Sequence, residues 1–167
     1  MALQYGFFDS VENNGSYDRE YGAEFFTALL KAAFKNSIMP GSFVASAGSG
    51  LTVNLTAGKG FVDGVFFYDD SASTVTCTSA SGTRTDLIVA KLNAAARAVT
   101  LEVKAGTTTA ASGEVAIATA TVTGSAVTAV SNSARINILN VGLPIISYGT
   151  AAPSGGSNGD IYFKVSN

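Results

Sequence analysis

From Ser42 onward the apolar residues of this chain recur at every second position, and this spacing limits what the chain can fold into. Leu51, Val53 and Leu55 alternate with polar residues, as in a strand that buries one face. Further short apolar runs, each the length of one strand, follow at 74–78, 86–92, 99–103, 115–122 and 126–130. The run at 86–92 is apolar on both faces, as in a central strand, and the runs at 115–122 and 126–130 are expected to pair around residues 123–125. Asp63-Gly64 separates two apolar runs, which predicts a tight hairpin. Short strands at this spacing favour an antiparallel β-sandwich.

The first 41 residues follow a different pattern. Residues 1–21 mix aromatic and charged side chains and predict an extended arm with a turn at 13–16. A helix is predicted to begin near Gly22 and to end before Asn36, with Glu24 favourably placed in its first turn. Its apolar residues form a wide stripe: Phe25, Phe26, Leu29, Leu30, Ala32, Ala33 and Phe34. The stripe needs a cover, which either this chain's own sheet or a neighbouring subunit supplies.

The predicted fold is therefore mainly β, an antiparallel β-sandwich preceded by an extended arm and one short α-helix and followed by a short C-terminal β appendage. We divide the chain into an N-terminal arm and helix for attachment (1–41), a β-sandwich body (42–142), and a C-terminal loop with a terminal strand (143–167). The terminal strand contains Tyr162 and Phe163 and needs a partner. A trimer axis or a neighbouring chain is one candidate for that partner.

Composition excludes several classes of function. The net charge is −2 and no Lys/Arg cluster is present, so nucleic-acid binding is not expected. The longest apolar stretch, 25–34, is too short to span a bilayer and contains Lys31. The first residues lack a secretory pattern, so we expect the protein to stay in a cytoplasm until assembly or lysis. Only 13% of residues are charged, against roughly 25% in average domains, which favours a subunit of an assembly or a sandwich with a hydroxyl-rich surface.

The side chains that carry most catalytic and metal chemistry are scarce. The chain has no histidine and one cysteine, Cys77, which removes histidine-activated nucleophiles and makes a zinc site unexpected. Asp63 is explained by its turn, and Asp69-Asp70 by capping a strand end. We therefore predict no enzyme activity, no catalytic residue, no cofactor and no metal. Cys77 alternates with Val75 and is predicted to be a small buried apolar residue.

Two pairs of charged residues lie close enough in sequence to act together. Arg84 and Asp86 are two residues apart on one strand, so they share a face and are expected to pair with charges across strands. Asp9 and Arg19 are expected to pair across the turn of the arm. Exposed pairs of this kind contribute only about 0–1 kcal/mol to stability, so their use would be to set orientation.

Several motifs resemble a family of phage tail and baseplate proteins. At the N-terminus these are Phe7-Phe8-Asp9-Ser10-Val11, Asp18-Arg19-Glu20-Tyr21, Glu24-Phe25 and Pro40-Gly41. In the body they are 60–64, 84–89 and 100–106, and the tail at 149–164 is similar to the Gly-Asp-Ile-Tyr endings of phage fibre and structural proteins. The chain departs from the family at Asn132-Ser133-Ala134-Arg135, where the family carries Asp-Thr-Arg. The acid of an ion pair is missing there.

The resemblance implies a virion structural protein of a bacteriophage tail, baseplate or fibre, made in the bacterial host cytoplasm. It implies a homotrimer that anchors to other virion proteins by its N-terminus and projects its β-domain, with a host cell-surface glycan as a further partner. The anchoring residues would be Tyr5, Phe7, Phe8, Asp9, Tyr17, Arg19, Tyr21 and Phe25, and the tip contacts Tyr162 and Phe163. Two alternatives remain open: a head decoration or head-fibre protein, and a stand-alone glycan-binding module in which Tyr68 and Tyr162 stack on sugars.

Overall fold

The computed structural model describes residues 24–137 in full, and the backbone alone of residues 12–13, 16–17, 23, 146–149 and 161–164. The described chain is mainly β with one short helix, α1 (Ala23–Phe34), so the predicted fold class is confirmed. The strands are β1 (Glu12–Asn13), β2 (Ser16–Tyr17), β3 (Ser37–Ile38), β4 (Ala45–Ala47), β5 (Thr52–Leu55), β6 (Gly58–Val62), β7 (Val65–Asp69), β8 (Ser73–Thr76), β9 (Thr83–Asn93), β10 (Ala98–Lys104), β11 (Glu114–Thr123), β12 (Ala126–Ser131), β13 (Ile146–Gly149) and β14 (Ile161–Lys164).

Three antiparallel sheets make the body, with strand orders β10-β9-β11-β12, β3-β6-β7 and β4-β5-β8. The predicted hairpin is confirmed, since β6 and β7 pair on either side of Asp63-Gly64. The pair around residues 123–125 is confirmed as β11 and β12. β9, predicted to be central, lies between β10 and β11. β3 lies within the first 41 residues but pairs with β6 of the body.

One apolar core joins the three sheets. Its members include Ile38 from β3, Val53 from β5, Ile88 from β9, and Ile117 from β11. Cys77 is 2% exposed and belongs to this core, as its alternation with Val75 predicts. The body therefore folds around a single interior rather than as separate hairpins.

Helix α1 packs on the β6–β7 hairpin through a narrow face. The ring of Phe34 stacks on Phe61 with centroids 4.7 Å apart, and Lys31 Nζ lies 3.2 Å from Asp63 Oδ1. On another face of the helix, Phe26 is 42% and Leu29 is 41% exposed. This chain's own sheet, over its described residues, therefore covers only part of the predicted apolar stripe.

The short C-terminal strands pair with each other. β13 and β14 are parallel, with Ser147 opposite Tyr162 and Tyr148 opposite Phe163. The terminal strand thus has a partner within its own chain, where the sequence suggested a trimer axis or a neighbouring chain as one candidate. Parallel strands need a crossover rather than a tight turn, and residues 150–160 separate the two strands.

Gly64 is the position at which the helix and the hairpin approach most closely. Its φ is +82°, and a Cβ atom there would overlap the backbone carbonyl oxygen of Thr27. Gly124, in the β11–β12 turn, also has a positive φ (+59°), but a Cβ there meets nothing within 4 Å. Replacing Gly124 therefore tests backbone strain alone, whereas replacing Gly64 tests backbone strain and close packing together.

We expect Gly64→Ala to lower the free energy of unfolding by about 2–5 kcal/mol, because backbone strain and overpacking add. Gly124→Ala should cost only about 1–2 kcal/mol, from strain alone. Urea unfolding of both variants measures the difference. Equal losses would show that the helix does not press on the hairpin as described.

Candidate docking surface

A row of aromatic rings runs from the helix across one face of the β6–β7 hairpin. Phe34 stacks on Phe61, Phe61 meets Phe66 at 5.3 Å, and Phe66 stacks with Tyr68 at 6.1 Å between centroids. We call these four residues the aromatic row. Phe61 is buried beneath the helix, whereas Phe66 is 44% and Tyr68 66% exposed. The outer half of the row is an apolar surface that the described residues leave open to solvent.

Alternation along β7 explains this arrangement. Successive side chains of a strand point to opposite faces, so Phe66 and Tyr68 share the outer face. Phe67 points the other way, and its ring lies 5.6 Å from the buried Phe43. A strand with aromatic residues on both faces thus anchors one side in the core and presents the other side outward.

Among the residues that the structure describes, no strand pairs with one side of β7, because β7 is the last strand of its sheet. In a hairpin with a two-residue turn, the residues flanking the turn exchange hydrogen bonds and the pairs then alternate. Phe66 and Tyr68 therefore direct their backbone N–H and C=O groups away from β6. On β6, Lys59 lies opposite Tyr68. Its carbonyl points away from β7 and accepts from Met39 N at 3.0 Å, as this alternation requires. β7 can accept a further strand.

A groove of about 880 Å³ runs beside this open edge, between β7 and the hairpin of β9 and β10. Phe67 and Tyr68 line one side of it, and Leu92 and Val99 line the other. A smaller pocket of about 130 Å³ shares Phe67, Tyr68 and Val99 with the groove. The main volume is near the top of the range of roughly 300–1,000 Å³ that is usual for binding sites. The groove can hold several side chains of a partner.

The charges of the groove lie at one end. Asp63 and Arg97 both line it, next to the first residue of β7. Asp63 is paired with Lys31, whereas Arg97 is exposed and makes no ion pair with the described residues. Asp69, at the other end of β7, lines the smaller pocket together with Leu101 of β10. At the Val65 end of the groove, Arg97 therefore carries a positive charge that no described carboxylate neutralises.

Asn36 fixes the position of the hairpin turn beside this groove. Its Oδ1 accepts from the backbone N–H of Asp63 at 2.7 Å, and its Nδ2 donates to the carbonyl of Glu114 at 3.1 Å. One side chain at the end of α1 therefore links the turn of β6–β7 to the start of β11. The start of β7 is held in place relative to the largest sheet.

An ion pair with a buried carboxylate stabilises the largest sheet. Arg84 donates to both carboxylate oxygens of Asp86, from Nε at 2.6 Å and from Nη2 at 2.9 Å. The Asp86 side chain is fully buried and also accepts from Gly106 N at 2.9 Å. The hydrogen bond from Arg84, with the one from Gly106, holds the pKa of Asp86 below its usual range despite burial. The sequence suggested that these two residues pair with charges across strands; instead they pair with each other along one strand.

A second set of charges lies on the same sheet. Lys104 Nζ is 2.7 Å from Glu114 Oε1, and Lys91 Nζ is 3.3 Å from Glu102 Oε2. Burial alone would raise the pKa of Glu114, but the hydrogen bonds from Lys104 and from Ala111 N bring it below its ordinary value. These contacts link β9, β10 and β11 and leave no charge without a partner in the set.

Arg135 is held without a carboxylate among the described residues. It donates to the carbonyls of Ser42 at 2.8 Å and Phe43 at 3.2 Å, and to the amide oxygen of Asn132. Burial lowers the pKa of Arg135. Asn132 in turn bonds both backbone groups of Ala45. Asn132 thus fastens the end of β12 to β4.

Most of the predicted anchoring residues lie outside the described side chains: Tyr5, Phe7, Phe8, Asp9, Tyr17, Arg19 and Tyr21, with Tyr17 described in its backbone alone. The predicted tip residues Tyr162 and Phe163 are described only as backbone in β14. Phe25 is described; it is half-buried on α1, and its ring meets Phe26 edge-on at 5.7 Å. Tyr68, predicted as a sugar-stacking residue, is the most exposed member of the aromatic row.

Sequence reasoning missed the open edge and the groove. The available signal was the run Val65-Phe66-Phe67-Tyr68, which is apolar at both odd and even positions although it lies at an edge. By contrast, Asp69 acts as predicted at the strand end, since its Oδ1 accepts from Ser71 N and Ser71 Oγ at 3.1 Å each.

Over residues 24–137, no group of three or more acidic, cysteine or histidine side chains is placed to hold a metal ion. In the part of the chain that the structure describes, no helix is long and apolar enough to cross a bilayer. No protein-family model matches the chain, and comparisons with curated proteins and with solved structures find no match.

The pair of Arg84 with the buried Asp86 gives a test by pH. Because the folded pKa of Asp86 is depressed, its stabilisation is present above the unfolded value of about 4 and is lost as the pH falls through the folded pKa. We expect Asp86→Asn to cost about 1.5–3 kcal/mol at pH 7, since the buried side chain loses the charge that strengthens its hydrogen bonds from Arg84 and Gly106, and the gap to the natural chain should narrow in acid.

Glu102→Gln is the matched control, because Glu102 belongs to a part-exposed pair and should cost at most about 1 kcal/mol. Denaturant unfolding between pH 7 and pH 3 measures both variants. A loss for Asp86→Asn that is small and independent of pH would contradict the assigned role of this pair.

Proposed function

We propose that this chain is a virion structural protein of a bacteriophage tail, baseplate or fibre that is anchored by its N-terminal region and projects its β-domain. The observation that carries the proposal is the exposed outer half of the aromatic row beside an open strand edge. Soluble monomers rarely expose such surfaces without a partner. An assembly subunit covers them with neighbouring protein.

The surface lies on the elements that follow the arm. Helix α1 follows the arm directly in sequence and packs on β6 and β7, so the predicted attachment region is continuous in sequence with the element that covers the inner half of the aromatic row. Aromatic anchors tend to dominate the energy of protein interfaces. The motifs at residues 7–11, 18–21 and 24–25 supply the resemblance to tail and baseplate proteins.

The composition agrees with a role in assembly. The low fraction of charged residues, 13%, leaves a surface rich in Thr, Ser and Ala, which tolerates contact with other protein. Charged residues of the four-stranded sheet pair with each other, as Arg84 does with Asp86 and Lys104 with Glu114. A homotrimer in the virion, bound to other virion proteins, is the assembly that we propose; a head decoration or head-fibre protein would use the same surface.

A second candidate function is favoured by Tyr68. Its ring is 66% exposed and stacked beside Phe66, which is an arrangement that can stack on a sugar ring of a cell-surface glycan. Such a module would act as a monomer. The two functions therefore differ in the oligomeric state that they require.

We expect the purified chain to sediment as an oligomer, with three copies as the proposed number. A variant lacking residues 1–21 should keep a folded β-body with nearly the same unfolding midpoint, because the described core lies beyond residue 36. The truncated chain should fail to enter particles when it replaces the full chain.

Analytical ultracentrifugation, circular dichroism and a particle-incorporation assay provide the three measurements. The point variant Thr76→Ser, at an exposed strand position, is the control and should enter particles as the natural chain does. Normal incorporation of the truncated chain would contradict anchoring by the arm. A stable monomer that binds glycan in isolation would favour the second candidate.

A further inference from the structure

We propose that the open edge of β7 accepts residues 5–9 from the arm of a neighbouring copy of this chain, as an added antiparallel strand. The inference rests on the proposed function, since it names the partner of the aromatic surface in the assembly. It combines the free backbone of β7, the adjoining groove and the order of residues in the arm.

The backbone requirement comes first. Phe66 and Tyr68 direct their N–H and C=O groups to the open side of β7, so an extended peptide laid there makes main-chain hydrogen bonds, as in other cases of strand addition. β7 is five residues long, Val65–Asp69, and contains neither the lysine nor the proline that usually protects an edge strand. Its length matches the segment Tyr5-Gly6-Phe7-Phe8-Asp9.

Charge sets the direction of the added strand. The arm segment ends in Asp9, and the uncompensated cation of the groove, Arg97, lies at the Val65 end. An antiparallel strand brings its last residue to the first residue of β7, which places Asp9 at Arg97. A parallel strand would instead bring Asp9 to Asp69, where two like charges would repel each other.

The side chains then fall on matching faces. With Asp9 opposite Val65, Phe8 lies opposite Phe66 on the outer face and extends the aromatic row. Phe7 lies opposite Phe67 and enters the groove beside Val99. Gly6 lies opposite Tyr68, where the absence of a side chain leaves room for the exposed phenol ring.

A neighbouring copy, rather than the same chain, is the donor that we infer. The helix that carries the arm exposes Leu29 on a face that the described sheet does not cover, and a second protomer lying there would bury it. That protomer then lies where the arm begins. Residues 10–22 can span at most about 45 Å when extended, which is enough to reach an adjacent subunit. Exchange of arms in one rotational sense closes a ring.

Cysteine trapping tests this arrangement in the full chain with Cys77→Ala as background. One chain carries Phe8→Cys, a differently tagged chain carries Phe66→Cys, and the two are co-expressed and mildly oxidised. Opposed residues of a hydrogen-bonded antiparallel pair lie about 5.5 Å apart at Cα, which is within disulfide range. We expect a disulfide that joins the two tags, and the double variant Phe8→Cys/Phe66→Cys should form linked oligomers.

Two controls test whether the cross-link is specific to this position and to this register. Ser81→Cys, on an exposed loop outside the groove, replaces Phe66→Cys and should give only background. Phe8→Cys with Tyr68→Cys detects a strand shifted by two residues and should give less product than the pair with Phe66. A preference for Tyr68 would overturn the register.

The outcomes separate the inference from the proposed function. A chain that sediments as an oligomer but gives only background cross-linking overturns the strand addition and leaves the assembly proposal standing. A disulfide closed within one chain overturns the exchange between copies. A chain that is monomeric at every concentration overturns both.

The charge pairing has its own test. Arg97→Glu should weaken assembly up to about fivefold, as for a surface ion pair, and Asp9→Arg in the same chain should restore it. Loss without restoration would overturn the assigned direction of the arm.

Discussion

The hairpin turn at Asp63-Gly64 is the constraint on which the rest of the structure depends. Gly64 must lie directly under the backbone of α1, Lys31 pairs with Asp63, and Asn36 joins the turn to β11. These contacts connect the helix, the β3-β6-β7 sheet and the four-stranded sheet. The direction in which β7 leaves the turn, and so the position of its open edge, follows from them.

The interior of the protein and its outer aromatic row serve different ends. Several polar groups of the body are satisfied by nearby residues: Arg84 bonds Asp86, and Asn132 and Arg135 bond the segment 42–45. In the outer half of the row, Phe66 stacks with Tyr68 and meets Phe61 at a tilted angle. A rigid body with satisfied charges can hold an apolar edge in a fixed place, which reduces the entropy lost when a partner binds.

The sequence predicts the elements well where the pattern is local. Alternation at 51–55 and 99–103, the Asp-Gly turn and the helix around Phe25 and Leu30 are all found, because side-chain period and turn chemistry are local properties. The two-residue strand β3 and the short β4 have no such pattern, since they depend on long-range pairing with β6 and β5. The sharing of Asp86 between Arg84 and Gly106 also could not be predicted, because it joins residues that are 20 positions apart.

The docking surface is predictable only in part, for a related reason. The aromatic content of residues 65–68 is visible in the sequence, but its exposure depends on β7 being the last strand of its sheet. Strand order results from packing among three sheets, and no short motif encodes it. The groove beside β7 likewise needs the hairpin of β9 and β10, some thirty residues further along the chain.

An unguarded edge such as β7 also bears on how the protein has to be made. Without lysine or proline on that strand, copies that accumulate ahead of their neighbours can pair edge to edge and form aggregates. If arms of neighbouring copies cover this edge, as proposed above, assembly has to keep pace with synthesis, because every chain whose edge is still unoccupied exposes an aggregation-prone strand.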